Sequence, residues 1–285
     1  MQHQHQHQSG TTENTTENTT ESSNARGSRL LRTALVTGAS RGIGRAIARR
    51  LARDGMGVAV HYGADAAAAQ ETVELIAAEG GRAFAVGADL ASHEGVLALV
   101  EGVRAGLAAH AGDGGLDVLV NNAAVTTSGG HLQEETVEAF DRLFAVNVRA
   151  PFFLVQQLLP VLRDGGAIVN IGSAVTRISL ADELAYAMTK GAMETFTRTL
   201  ANVVGARRIT VNTVAPGPTQ TASLTAAMAA VPQLEEMLIA GQALPWVGQP
   251  EDIADPVAFL ASPAGRWITG TVVDASGGTY LGPKR

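Results

Sequence analysis

From residue 32 onward, short apolar runs alternate with longer stretches in which apolar residues recur every three or four positions. The short runs are TALVTG from Thr33, GVAVHY from Gly57, RAFAVGAD from Arg82, LDVLVNNAA from Leu116, GAIVNIGS from Gly166, ITVNTVAPG from Ile209 and TGTVVDASGG from Thr269. They are β-rich and bounded by Gly, Asn, Asp or Pro, so they predict seven strands. Between them lie GRAIARRLARDG, DAAAAQETVELIAAEGG, ASHEGVLALVEGVRAGLAAHAG, VEAFDRLFAVNVRAPFFLVQQLLPVLRDGG, LAYAMTKGAMETFTRTLANVVGARR and PEDIADPVAFLAS, each long enough to cross over a sheet as a helix. Strands apolar on both faces and alternating with helices predict an α/β fold: one doubly wound, seven-stranded parallel sheet with helices on both faces and ligands at the carboxyl ends of its strands. One segment breaks the beat. Residues 218–248, PTQTASLTAAMAAVPQLEEMLIAGQALPWVG, read as helical with no strand after them, which suits either a substrate lid or a surface helical pair.

Composition trims this picture at one end. Residues 1–28 carry almost nothing apolar and repeat TTEN, so they cannot bury a core; they read as an affinity tag and linker, with His3, His5 and His7 as the handle. The domain is then expected over 29–285. The chain has a formal net charge of −6, and the domain remains mildly acidic once Glu13, Glu17, Glu21 and Arg26 of the tag are set aside. Such a balance argues against nucleic-acid and anionic-membrane partners, which need a basic footprint. With Cys at 0 there is no disulfide, thiol nucleophile or thiolate metal site. No apolar run is long enough to span a bilayer and no signal h-region is present, so a cytoplasmic protein is the expectation.

The first strand runs into TGASRGIGRAIA, with Gly38, Gly42 and Gly44 at the turn and the start of the helix. Glycine lets the backbone bend with positive φ and lets a pyrophosphate approach amides at a positive helix end. Three glycines and Ser40 exceed what a plain strand-to-helix turn needs, although the spacing is GxxxGxG and not GxGxxG. The turn thus predicts a Rossmann-type dinucleotide site that also uses Ile43. The second strand ends His61-Tyr62 without a carboxylate to bind ribose hydroxyls, and Asp65 reads as a helix N-cap. Arg41 projects from the turn, where a guanidinium can pair with a 2′-phosphate, so NADP(H) is favoured over NAD(H). His61 could assist there, but a lone His at a strand end reads more simply as a surface residue.

At the other end of such a cofactor, YAMTK places Tyr186 and Lys190 four apart, on one face of a helix. An ammonium about 5 Å from a phenol, at an effective dielectric near 20, favours phenolate by roughly 3 kcal/mol, or about two pK units. The phenol becomes usable as an acid or base. Ser173 closes the fifth strand, so its hydroxyl emerges at the sheet's carboxyl edge, where it can hydrogen-bond a reacting oxygen. Asn147, in FAVNVRAPFF, is a polar amide amid apolar neighbours that either caps a kink or holds a water.

The glycine turn, NNAAV after the fourth strand, Asn147, Ser173, YAMTK and VNTVAPGPTQT occur in one order along residues 32 to 281, and here the chain resembles the short-chain dehydrogenase/reductase family. The glycine turn is most similar to that of 3-oxoacyl-carrier-protein reductases. The resemblance implies a tetrad in which Tyr186 exchanges a proton with the substrate oxygen and Ser173 positions that oxygen. Lys190 would lower the Tyr pKa and bond the nicotinamide ribose, and Asn147 would anchor a relay water. It places Asp89 and Leu90 at the adenine, Tyr62, Asn121 and Ala123 along the cofactor, and Pro216, Gly217, Thr219 and Thr221 around the carboxamide. No metal is expected. Ala124 and Ala174 stand where relatives often carry Gly and Ser.

The function implied is an NADP(H)-dependent oxidoreductase that interconverts a small-molecule carbonyl and a secondary alcohol by hydride transfer. A catalytically silent dinucleotide-binding sensor or scaffold is the alternative. An acidic carrier protein would need a basic patch; Arg163, Arg207 and Arg208 either offer one or offset helix dipoles. Leu224, Met228, Met237, Leu238 and Trp246 of the lid suggest an apolar substrate contact or packing onto the domain. The helices VRAPFFLVQQLLPVL and AMETFTRTLANVV are more apolar than one buried face needs, and the resemblance points to a homotetramer built on them and on the last strand.

Overall fold

A computed structural model describes residues 31–111, 113–126 and 131–282. The tag and linker expected over 1–28 lie outside the described residues. Seven strands, β1 Thr33–Val36, β2 Gly57–Tyr62, β3 Arg82–Gly87, β4 Leu116–Asn121, β5 Leu162–Ile171, β6 Thr210–Pro216 and β7 Val272–Ala275, form one sheet in the order β3-β2-β1-β4-β5-β6-β7. Every pairing is parallel. The chain order reverses between β1 and β4, which opens a crevice at the carboxyl ends of those two strands.

The two faces are covered by different helices. On one lie α1 Gly42–Arg53, α2 Ala66–Ala78 and α9 Pro250–Ala261; on the other lie α3 His93–Ala111, α5 Ala150–Leu158 and α6 Leu184–Val204. Strand side chains alternate between two cores: Val36, Val120 and Val169 meet Ile47, Leu51 and Val257, while Leu35, Leu119 and Ile168 meet Leu99, Leu154 and Leu200. Burial on both faces explains why the strands read as unbroken apolar runs.

The long stretch after residue 136 is not one helix. It divides into α4 Val137–Phe144, a π-helical turn Ala145–Arg149 and α5, with the Ala150 amide bonded to Ala145 O. Helix α5 stops at Leu158 ahead of Pro160, whose ring disfavours helix in the residue before it and lacks a donor. Strand β5 then begins at Leu162, four residues before the expected Gly166. Arg-Asp-Gly-Gly has the composition of a turn, and Gly165 does turn, with φ 76°. The lead-in is nevertheless paired to β4 through Leu162 and Leu116, with a register shift beyond it.

The basic residues considered for docking lie at the opposite edge from the crevice. Arg163 is ion-paired with Asp113 and Asp117, and Arg207 with Asp164. Arg207 also donates to the carbonyls of Leu159 and Leu162, capping the end of α5. Offset of a helix end, not a free basic patch, is what Arg207 supplies.

Residues 218–248 contain α7 Ala222–Ala230 and α8 Leu234–Ala240, and neither helix has a fully buried residue. Met237 is 65% and Trp246 50% exposed. Their apolar side chains are therefore not consumed in packing the segment onto the domain. The segment is tethered at its end, where the amides of Ala243 and Leu244 donate to Gly277 O and Tyr280 N donates to Gly241 O at 2.7 Å.

Candidate active site

The turn after β1 is shaped by close approach. Gly38 has φ 63°, and a Cβ there would lie 2.9 Å from Ala123 Cα; a Cβ on Gly44 would collide with the Gly38 carbonyl and the Asn122 amide. Side chains of neighbouring strands hold the turn. Asn122 Nδ2 donates to Thr37 O at 2.8 Å and Gly38 O at 3.1 Å, and Thr37 Oγ1 accepts from the amides of Asn122 and Ala123. From the helix side, Arg45 donates through Nε and Nη2 to Ser40 O at 3.0 and 2.7 Å and pairs with Glu71. With these bonds made, the amides of Gly42, Ile43 and Gly44, in the first turn of α1, have no partner among the described residues, the arrangement that suits an anion. Arg41 is exposed beside them and forms no ion pair among the described residues, whereas Arg45 is committed to structure.

The loop after β6 closes on the same turn. Gly217 packs where a Cβ would lie 2.7 Å from Ser276 O, and the Thr219 hydroxyl donates to Gly217 O at 3.0 Å. Thr221 caps α7, and its methyl would lie 3.4 Å from a Cβ on Gly42. Gly42 and Thr221 line one cavity of about 250 Å³ together with Arg45, Gln220 and Pro250. Pro216 ends β6 opposite Ala275.

Across the crevice, the Tyr62 ring lies over Gly87, where a Cβ would come within 2.7 Å of its Cζ. Asp89 Oδ1 accepts from Ala91 N at 3.0 Å, and Leu90 is buried. Asn121, expected along the cofactor, instead buries its amide and donates to Asn170 Oδ1 at 2.9 Å; its neighbour Asn122 reaches the turn. Nothing in the spacing of two adjacent asparagines separates them, because their division of labour follows from the pleat of β4. His61 is no surface residue. It is 2% exposed, and burial pulls its pKa down to about 4 despite the opposing hydrogen bond to Ala88 O.

Beyond the carboxyl ends of β4 and β5 lie the four predicted residues of the reacting end, Asn147, Ser173, Tyr186 and Lys190. Lys190 Nζ lies 5.4 Å from the centre of the Tyr186 ring and donates to Ile171 O at 2.8 Å, at the end of β5, two residues before Ser173. Lys190 is 4% exposed, and desolvation lowers its pKa to about 8. Ser173 Oγ accepts from Val175 N at 3.2 Å, which turns the chain sharply away from β5. Asn147 lies in the π-helical turn, a distortion common at functional sites. Its Oδ1 accepts from Val125 N, and its Nδ2 donates to Val125 O and to Thr189 Oγ1, which in turn donates to Tyr186 O at 2.7 Å. The Asn147 side chain therefore braces the distortion and ties the loop after β4 to the helix bearing the phenol.

The phenol's own pKa departs from the charge-only expectation. It is pushed up to about 12: burial dominates, Glu183 one turn earlier adds to it, and the Ser173 hydroxyl pulls the other way. A buried oxyanion loses more hydration than the sequence-level Coulomb sum includes. Among the described residues no cluster of His, Asp or Glu could hold a metal, and no helix is long and apolar enough to cross a membrane.

Comparison with known proteins adds to this geometry. The family model described as enoyl-(acyl carrier protein) reductase matches residues 38–280. The solved structure of an angucycline C-6 ketoreductase, LanV, with bound NADP is 50% identical, with a TM-score of 0.84, covering 88% of this chain and 96% of that one. An uncharacterised oxidoreductase of Methylorubrum extorquens is 43% identical over 226 residues, 79% of this chain and 88% of the relative. Elsinochrome reductase 1 of Elsinoe fawcettii is 40% identical over 237 residues, 80% of this chain and 86% of the relative. With the glycine turn, the Tyr-Lys pair and the parallel sheet in place over nearly the whole domain, the chain belongs to the short-chain dehydrogenase/reductase family of oxidoreductases.

Proposed function

We propose that this protein is an NADPH-dependent ketone reductase, running hydride transfer between the nicotinamide and a carbonyl carbon with Tyr186 as the proton donor to the carbonyl oxygen. The observation that carries the reading is the convergence of two hydroxyls, Ser173 and Tyr186, with a buried ammonium 5.4 Å from the phenol ring. Two hydroxyls aimed at one place suit an oxygen that gains charge as it is reduced. That favours a ketone over the carbon–carbon double bond suggested by the family model's description, as do the names of the ketoreductase and reductase relatives.

The cradle fits a dinucleotide. Glycines stand where a Cβ would fill the space beside the turn, the first-turn amides of α1 have no partner among the described residues, and Arg41, exposed and without an ion pair among those residues, stands beside them for a 2′-phosphate. When bound, NADPH supplies the hydride. Gly38, Ser40, Arg41, Gly42, Ile43 and Gly44 would hold its phosphates, Tyr62, Asp89, Leu90 and Ala123 its adenosine side, and Pro216, Gly217, Thr219 and Thr221 its carboxamide end. Tyr186 Oη gives its proton to the substrate oxygen, Ser173 Oγ holds that oxygen, and Lys190 stabilises the phenolate left behind. Asn147 keeps α6 in place through Thr189. Its raised pKa keeps the phenol protonated at neutral pH, so the proton it would donate is in place before hydride arrives. The half-exposed apolar residues of 218–248 make that segment the natural lid over an apolar ketone.

The test is to follow NADPH absorbance with the purified protein across a panel of cyclic and aromatic ketones and enones, and again with NADH. Ketone-dependent oxidation of NADPH is expected. Turnover of enones at the double bond alone would overturn the carbonyl assignment. We also infer a homotetramer, supported by exposed Phe152 on α5, Val203 on α6 and Trp267 just before β7. A monomeric mass by light scattering would reject it.

A further inference from the structure

A buried polar side chain that the chemistry above does not use is His61, the penultimate residue of β2. The Gly38 amide donates to its Nδ1 at 3.1 Å, and its Nε2 lies 3.1 Å from Ala88 O. Because a backbone N–H can only donate, Nδ1 must accept; Nε2 then carries the hydrogen and donates to Ala88 O. The ring is therefore neutral, in one tautomer, and both nitrogens are used. Main-chain bonds run alongside it, from Ala39 N to His61 O at 2.8 Å and from Ala88 N to Tyr62 O at 3.0 Å. One imidazole thus bridges the exit of β1, which forms the glycine turn, and the exit of β3, which leads into Asp89 and Leu90.

We propose that His61 is a positioning residue for the dinucleotide, fixing the glycine turn and the Ala88–Leu90 loop at the separation at which phosphates and adenine are bound together. This rests on the cofactor reading above. The Gly38 peptide is the pivot. Its carbonyl is held from β4 by Asn122 and its N–H from β2 by His61, so the left-handed turn at φ 63° is clamped from both sides. Without the imidazole, the part-buried Gly38 amide loses the acceptor it has among the described residues, and the turn loses one of its two anchors. The ring's size matters as well. An aliphatic side chain fills the core at this position without spanning from Gly38 to Ala88, whereas Asn places an acceptor where Nδ1 lies.

The experiment compares wild type, His61→Val and His61→Asn by NADPH binding, monitored by nucleotide fluorescence, and by steady-state kinetics. His61→Val is expected to raise Kd and KM for NADPH about tenfold or more. The loss should appear in KM for the dinucleotide and not in kcat. His61→Asn should recover most of that affinity, because the Gly38 bond is retained. Equal affinity in the two variants, whether both tight or both weak, overturns the proposal. Should His61→Val not fold, His61→Gln replaces it, keeping a donor for Ala88 and losing the Gly38 acceptor. Independently, imidazole ¹⁵N spectra of the wild type at neutral pH are expected to show the Nε2–H tautomer; the Nδ1–H tautomer overturns the bridge. A wild type that binds neither NADPH nor NADH removes the underlying cofactor reading instead, and this role with it.

Discussion

The ammonium of Lys190 stands 5.4 Å from the centre of the Tyr186 ring, yet the phenol's pKa is pushed up to about 12 while the lysine's falls to about 8. Burial penalises the charged form of each partner, which outweighs their mutual attraction at the phenol.

Replacing Tyr186 by Phe removes the acid and keeps the ring. Ketone reduction is expected to fall by at least about a hundredfold, the usual scale for a general acid, with NADPH affinity little changed. Steady-state rates and fluorescence titration of the same preparation check this. Retention of wild-type turnover would take the phenol out of the mechanism.

Cofactor choice is expected to hinge on Arg41, which forms no ion pair among the described residues, and on the strand end at Tyr62. Arg41→Ala should lower kcat/KM for NADPH about tenfold with little effect on NADH, in keeping with loss of one charge-assisted contact. Adding Tyr62→Asp should turn the preference toward NADH, since a carboxylate binds ribose hydroxyls and repels a 2′-phosphate. A wild type that already prefers NADH would refute this account of the turn.

Two glycines give opposite expectations. At Gly44 a Cβ runs into the Gly38 carbonyl, so Gly44→Ala should destabilise by roughly 1–3 kcal/mol and abolish dinucleotide binding. At Gly191, inside α6, a Cβ meets nothing within 4 Å, so Gly191→Ala should stabilise by about 0.5–1 kcal/mol through helix propensity. Urea denaturation of both variants decides the matter.

His61 predicts an acid-side loss of stability. Its pKa is lowered to about 4 in the folded chain, from an ordinary value near 6.5, so between those limits the unfolded chain binds the extra proton. Stability contributed by keeping the ring neutral is complete above about pH 6.5 and falls as pH drops toward 4, by roughly 3 kcal/mol in all. His61→Asn should remove this component, so the stability difference between wild type and variant should shrink or reverse as pH falls from 7 to 4. Parallel stability curves for the two proteins would contradict it.

The sequence by itself determined the layered fold, because short strands apolar on both faces alternating with amphipathic helices leave a parallel sheet as the way to bury everything. It also determined which of the proposed site residues lie together: Tyr186 and Lys190 share a helix face at any packing, and Ser173 lies just past a strand whose neighbours follow from the alternation. What tertiary structure decided were properties that depend on where side chains of distant segments end up. The interruption at Asn147 is a π-helical turn braced by Val125 and Thr189, 22 and 42 residues away, and local periodicity carries no trace of such partners. The same is true of Asn121 against Asn122, which differ by one step of a pleat, and of His61, whose burial arises only when β1 and β3 close on either side of β2. The Tyr186 pKa belongs here too: charge spacing can be read along a chain, but the hydration a phenolate loses is set by everything packed around it.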